Sequence, residues 1–281
     1  MNNTQIIDDI RNKMAKSQSS FYNTNLYEDN FLSQNNILKF FELNNNSENH
    51  YMDIPVKSIL AISRNSAFKE GIHLRTWKDL LNNYINGFNW TSNVYKYWDN
   101  DLKDNNFPAP ESMHCLKIKL YSGIGVCLNG NHRLIAGASY LIAKNGNDAV
   151  FKKAYVEYEL LNEQLLNNLL LKCKENSKIS ILYEEKKLHN LLETNIYSDR
   201  FICIRNDKIK EFYFIEDNVN LKKIEIKQSF IDKSFSYIFG SKLENLFKKY
   251  PFIILPQEFI KIYKAKNSWI DRSLKTSEII K

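Results

Sequence analysis

The chain has 281 residues, enough for one large domain or for a domain with a second lobe. With 43% hydrophobic and 25% charged residues it has the profile of a folded globular protein, which excludes a disordered or fibrous chain. The net charge of +7 is uneven: Lys and Arg number 4 against 6 acidic residues in 1–50, 13 against 10 in 51–160, and 22 against 16 in 161–281. The basic C-terminal part is where a phosphate-rich partner such as nucleic acid would be met.

No window approaches the roughly 18 uninterrupted apolar residues of a membrane span. The opening "MNNTQIIDDIRNKMAKSQSS" has neither the apolar core nor the cleavage site of a signal peptide, so a cytoplasmic protein without membrane contact is expected. Cys115, Cys127, Cys173 and Cys203 are scattered, with no zinc-type spacing, and read as buried free thiols of a reducing compartment.

Along the chain, Ile6, Ile7, Ile10 and Met14 lie on one face of an amphipathic helix, and residues 1–50 read as a helical N-terminal arm. The Asn-rich "ELNNNSENH" at 42–50 reads as a linker. "YMDIPVKSILAIS" is extended and apolar, with a Pro. Thr76, with Asp79 three residues on and Leu80, Leu81 and Tyr84 at helical spacing, marks a capped helix start. "NDLKDNNFPAPES" is loop by composition, and "MHCLKIKLYSGIGVCL" predicts two strands turning at Ser122-Gly123. A helix over 134–144, a turn at Asn145-Gly146-Asn147 and a strand in "AVFKKAYVEYEL" complete a unit over 51–160. Beyond it, 161–281 reads as a basic α+β lobe. Helices are expected in "LLNEQLLNNLLLKCKE", "LYEEKKLHNLLET", "FIDKSFSYIFGSKLENLFKKY" and "PQEFIKIYKAK". A hairpin turning at Asn206-Asp207 is expected in "RFICIRNDKIKEFYFIED", with a third strand in "LKKIEIKQSF". The fold class is α+β.

Chemistry concentrates in "VCLNGNHRLIAGASYLIAK", residues 126–144. A strand ending at Leu128, a tight Asn129-Gly130 turn and a helix starting near Asn131 leave backbone N–H groups pointing out of the helix end, where an anion is favoured. Gly130 lets a ligand approach the backbone, Arg133 offers a planar fork for phosphate oxygens, and His132 can donate a hydrogen bond or move a proton. The small residues Ala136, Gly137, Ala138 and Ser139 would let the helix lie tight against a sheet. A His-Arg pair at a helix start also bonds loop carbonyls in many proteins, so the box is a hypothesis rather than a signature.

"DIPVKSILAI" at 53–62, followed by "GNHRLIAGASYLIAKNG", resembles the ParB/sulfiredoxin superfamily over residues 51–160. Its members begin with an Ile-Pro-Val-type strand and later carry a G-x-x-R or G-x-H-R box that opens a helix. The resemblance implies a ParB/sulfiredoxin-like mixed α/β domain holding a nucleotide or phosphate at Gly130, Asn131, His132 and Arg133, with chemistry at phosphorus. Sulfiredoxins place their cysteine where this chain has Asn131. Chromosome-partitioning ParB proteins carry two Arg after an acidic residue and a helix-turn-helix that is not evident here. Closer in spelling are free-serine kinases of this fold and ParB-like nucleases. By resemblance to the kinases, Glu70 is the candidate general base, with His132 as a second catalytic candidate. Arg75 is favoured over Arg64 and Lys69 as an extra phosphate ligand.

His73 and His114 are weaker candidates, and the aromatic run Trp90–Trp98 can pack or stack a base. The expected ligand is a nucleoside triphosphate or diphosphate (ATP, ADP or CTP) with Mg²⁺, and the expected activity phosphoryl transfer or hydrolysis. A nuclease and a non-catalytic DNA- or protein-binding regulator remain open beside it.

Overall fold

The computed structural model describes residues 3–42, 47–63, 65–68, 71–109, 115–183, 198–206, 209–224 and 252–280. The chain is a mixed helix-and-sheet protein of two compact units: residues 1–34, 44–160 and 258–281 form one, and 35–43 with 161–257 the other.

In chain order the helices up to residue 172 are α1 (Asn3–Lys16), α2 (Asp29–Gln34), α3 (Ile37–Phe41), α4 (Trp77–Asn83), α5 (Asn93–Asp99), α6 (Asn131–Asn145) and α7 (Glu163–Lys172). The strands are β1 (Asn25–Glu28), β2 (Glu48–Pro55), β3 (Ile59–Ile62), β4 (Leu74–Thr76), β5 (Lys117–Tyr121), β6 (Ile124–Asn129), β7 (Val150–Glu159), β8 (Lys178–Tyr183), β9 (Arg200–Asn206), β10 (Ile209–Glu216) and β11 (Asn220–Lys223). Helices Gln257–Ala265 and Ile270–Lys275 and the short strands Ile253–Ile254 and Glu278–Ile279 follow.

The first unit is built on a mixed sheet in the order β2-β7-β5-β6-β3-β1-β4, with Glu278–Ile279 added beside β2. β3 runs parallel to both β1 and β6, while β5 pairs antiparallel with β6 and parallel with β7. All four residues of β3 are buried, as an uninterrupted apolar run at a sheet centre requires. One face of this sheet carries Leu26, Ile62, Ile118, Leu120, Cys127 and Val156 into a core shared with α1, α4, α5 and α6. Ile6, Ile7, Ile10 and Met14, the apolar stripe of α1, are buried in it. On the opposite side of β1, Asn25 and Tyr27 donate hydrogen bonds to the Glu258 carboxylate at 3.1 and 3.2 Å.

One sequence expectation changes here. The N-terminal segment is not wholly helical: it supplies β1, which pairs with β3 and β4. The small run of α6 also meets another helix: a Cβ on Gly137 would come within 2.4 Å of Trp98 Nε1, so this glycine admits the indole of α5.

The second unit is an antiparallel sheet in the order β11-β10-β9-β8, closed by Ile253–Ile254 beside β8, with α3 and α7. Asn162 caps α7 by accepting from Leu165 N at 2.9 Å. The hairpin expected over 200–216 is β9 and β10, and β11 is the expected third strand. Leu182 and Tyr183 belong to a strand rather than the expected helix, because β8 pairs them with Phe201 and Arg200. The remainder of that expected helix, and the one expected over 230–250, lie outside the described residues. No helix among the described residues is long and apolar enough to cross a membrane.

Candidate functional site

The turn after β6 follows from Gly130, whose φ of 88° and ψ of 32° lie in the left-handed region that only glycine adopts without strain. It is the N-cap of α6 and brings no side-chain cap. Leu134 N reaches Gly130 O at 2.8 Å to close the first turn. The N–H groups of Asn131, His132 and Arg133 thus have no acceptor within the helix, and the positive end of its dipole lies at the carboxyl end of β6.

The three side chains of the box point different ways. Asn131 is only 6% exposed, and its Oδ1 is buried with no hydrogen-bond partner among the described residues. An orphaned buried acceptor is costly, by about 1–3 kcal/mol, unless something outside the fold satisfies it. His132 is half-buried and stacks on Tyr84, the C-cap of α4, with centroids 4.3 Å apart and planes inclined by 21°. Its Nδ1 is buried.

Arg133 is 7% exposed and does not reach out as a free fork. Its guanidinium folds back beside Gly130, lies over the Phe107 ring at 5.2 Å and hydrogen-bonds the Tyr97 hydroxyl. Burial raises the Tyr97 pKa, opposed by the Arg133 charge. Burial likewise pushes the Cys127 thiol up to about 12, with Arg133 pulling the other way. Arg133 therefore puts fixed positive charge behind the helix N-terminus.

Arg75 lies on β4 across from Leu26 and donates from Nη1 to Ala67 O at 2.8 Å. It anchors the loop after β3 rather than presenting its fork to the Gly130 turn. Glu70, Arg64, Lys69 and His114 lie outside the described residues. In the aromatic run, Trp90, Tyr97 and Trp98 are buried and Trp90 packs edge-on against Trp98 and Phe107, so packing is their main role. An open trough of about 790 Å³ remains beside them, lined by Asn89, Trp90, Thr91, Asn93, Phe107 and Pro108. It shares Phe107 with Arg133.

No group of three or more His, Cys, Asp or Glu suited to a metal occurs among the described residues. A Mg²⁺ carried on phosphates needs only one or two protein oxygens.

Sequence reasoning missed the topological setting. Adjacent parallel strands β3 and β6 send their chains opposite ways, β3 toward β4 and β6 through α6 toward β7. Open sheets bind ligands outside the carboxyl ends of strands at such a switch. It also missed a pair at the same edge. Glu28, last residue of β1 and 6% exposed, has Oε2 at 2.5 Å from His73 Nδ1, just before β4. No motif spacing signals a contact between residues so far apart in sequence.

Comparisons with protein-family models, curated proteins and solved structures give no match to this chain.

Proposed function

We propose that this protein binds a nucleoside diphosphate or triphosphate at Gly130–Arg133, at the start of α6, and carries out phosphoryl transfer or hydrolysis there. The observation that carries this reading is the position of the α6 N-terminus at the switch point between β3 and β6. A helix dipole and uncapped N–H groups at a strand's carboxyl end favour a phosphate. Three further features support it: the orphaned Asn131 amide oxygen, the Arg133 charge behind the turn, and a glycine whose bare Cα lets the Arg133 guanidinium lie against the turn. The order of Ile54-Pro55-Val56, at the end of β2, and the box fits a ParB/sulfiredoxin-like domain, whose kinase members would have their base at Glu70.

Titration calorimetry of ATP, ADP, CTP and GTP with Mg²⁺ on the parent, on Asn131→Asp and on His132→Phe tests the reading. The parent binds at least one of them. Asn131→Asp, which sets a negative charge against the phosphates, weakens it at least tenfold, and His132→Phe keeps the stack but loses the hydrogen bond. A folded parent that binds none of the four overturns the proposal.

The charge of residues 161–281 favours a second reading, a nuclease whose box grips a nucleic-acid phosphate. Salt-dependent DNA or RNA binding and cleavage without added nucleotide would establish it.

A further inference from the structure

Glu28 and His73 meet at the same edge of the sheet as the Gly130 turn. Glu28 pairs across β1 and β3 with Ile62, which pairs in turn with Cys127 on β6. Leu26, Ile62 and Cys127 all join the core that holds α6, so Glu28, two residues beyond Leu26, points to that same face. His73 lies on the other side of β1, where its carbonyl accepts from Glu28 N at 3.0 Å. Its ring places Nδ1 at 2.5 Å from the Glu28 carboxylate. Three strand spacings, about 14 Å, separate the backbones of β6 and β4.

The two side chains differ sharply in exposure: 8% for Glu28 and 42% for His73. A carboxylate that buried is stable only when paired, and His73 is its hydrogen-bond partner among the described residues. The backbone ladder already fixes where His73 sits, so the side-chain contact adds something the β1–β4 pairing does not need. What it adds is orientation. With Nδ1 held as donor to Glu28, the neutral ring exposes Nε2 as an acceptor, the arrangement of an oriented general base. Phe31, with its ring centroid 5.9 Å from that of His73, backs the imidazole.

We propose that His73, in place of Glu70, is the general base of this site and Glu28 its positioning residue, an inference that rests on the phosphoryl-transfer reading above. His73 Nε2 takes the proton from the attacking water or acceptor hydroxyl as its oxygen bonds to the terminal phosphorus. The bond from phosphorus to the bridging oxygen breaks, and the nucleoside diphosphate, or monophosphate from a diphosphate, leaves with the electron pair. The imidazolium then returns its proton to solvent. The N-terminus of α6 holds the phosphates from across the crevice.

The test follows phosphate release from Mg²⁺-nucleotide by the full chain, alongside calorimetric binding, for the parent, His73→Ala, Glu28→Gln and Glu70→Gln. His73→Ala should lose about 10²- to 10⁴-fold in kcat, with nucleotide Kd within about twofold, and added imidazole should restore part of the rate. Glu28→Gln should lower kcat without removing binding and should gain nothing from imidazole. A folded His73→Ala protein with the parent's rate overturns the inference, as does loss of turnover in Glu70→Gln alone. A parent that binds nucleotide but turns none over overturns the base and leaves the binding site standing. A parent that binds none overturns both.

Discussion

His132 and Tyr84 lie face to face, centroids 4.3 Å apart, so the third residue of the Gly-Asn-His-Arg box is clamped to the end of α4. The stack fixes the ring plane and gives the imidazole two separable roles, packing and ligand contact. Aromatic pairs of this kind contribute about 0.5–1.5 kcal/mol beyond burial. His132→Ala should therefore cost about 1 kcal/mol in urea unfolding, while His132→Phe should stay near the parent. Nucleotide affinity should fall in both. Equal stability of the two variants would mean that the stack contributes nothing to the fold.

Gly137 sits where α6 meets Trp98, and an added Cβ would lie 2.4 Å from Nε1, 2.6 Å from Cδ1 and 2.8 Å from Cε2 of that indole. Trp98 is 1% exposed and packed among Trp90, Tyr95, Phe107 and Tyr140, so it has no room to give way. Gly137→Ala would normally favour a helix by about 1 kcal/mol. Here it should instead destabilise by about 1–3 kcal/mol through overpacking. A raised Tm for Gly137→Ala would contradict this packing.

The Thr76 side chain accepts from Asp79 N at 3.0 Å and donates to Asp79 Oδ2 at 2.7 Å, while Thr76 N reaches the same carboxylate at 3.3 Å. Thr76→Ala removes the cap and should cost about 1 kcal/mol. Asp79→Asn should cost less, since its side-chain oxygen can still accept from Thr76 N. Denaturant midpoints of the two variants decide the order.

The Thr76 cap was legible because a capping box is local: four adjacent residues contain the whole interaction. The Ser122-Gly123 turn and the start of α6 at the Asn129-Gly130 turn were legible for the same reason. What escaped was set by distant partners. β1 is four residues long with only two buried, and it becomes a strand because β3 and β4 pair with it. Without β1 in view, Glu28 has no reason to meet His73. Helical spacing likewise reveals the small face of α6 but not that an indole from α5 fills it. Nor does the sequence of Arg133 disclose that its guanidinium turns inward over Phe107.

Cys127 offers a test of the interior behind the box that depends on pH. Its thiol is fully buried with Sγ 3.3 Å from Asn129 O, and burial raises its pKa from 9.0 to about 12 despite the nearby Arg133 charge. At pH 8 roughly one such thiol in ten thousand is ionised, so Cys127 should resist thiol reagents in the folded protein while the exposed Cys115 reacts. The sign of the stability effect follows. Between pH 9 and 12 the unfolded chain gives up this proton and the folded chain keeps it, so the contribution is complete below pH 9 and is lost as pH rises. The loss is about 1.4 kcal/mol per pH unit. Urea unfolding at pH 8 and pH 10 should show the parent losing about 1.4 kcal/mol more than Cys127→Ala between the two values. The cavity left by the substitution lowers both of the variant's values equally and cancels in that difference. An identical pH dependence in parent and variant would mean that burial does not raise the Cys127 pKa behind the Gly130 turn.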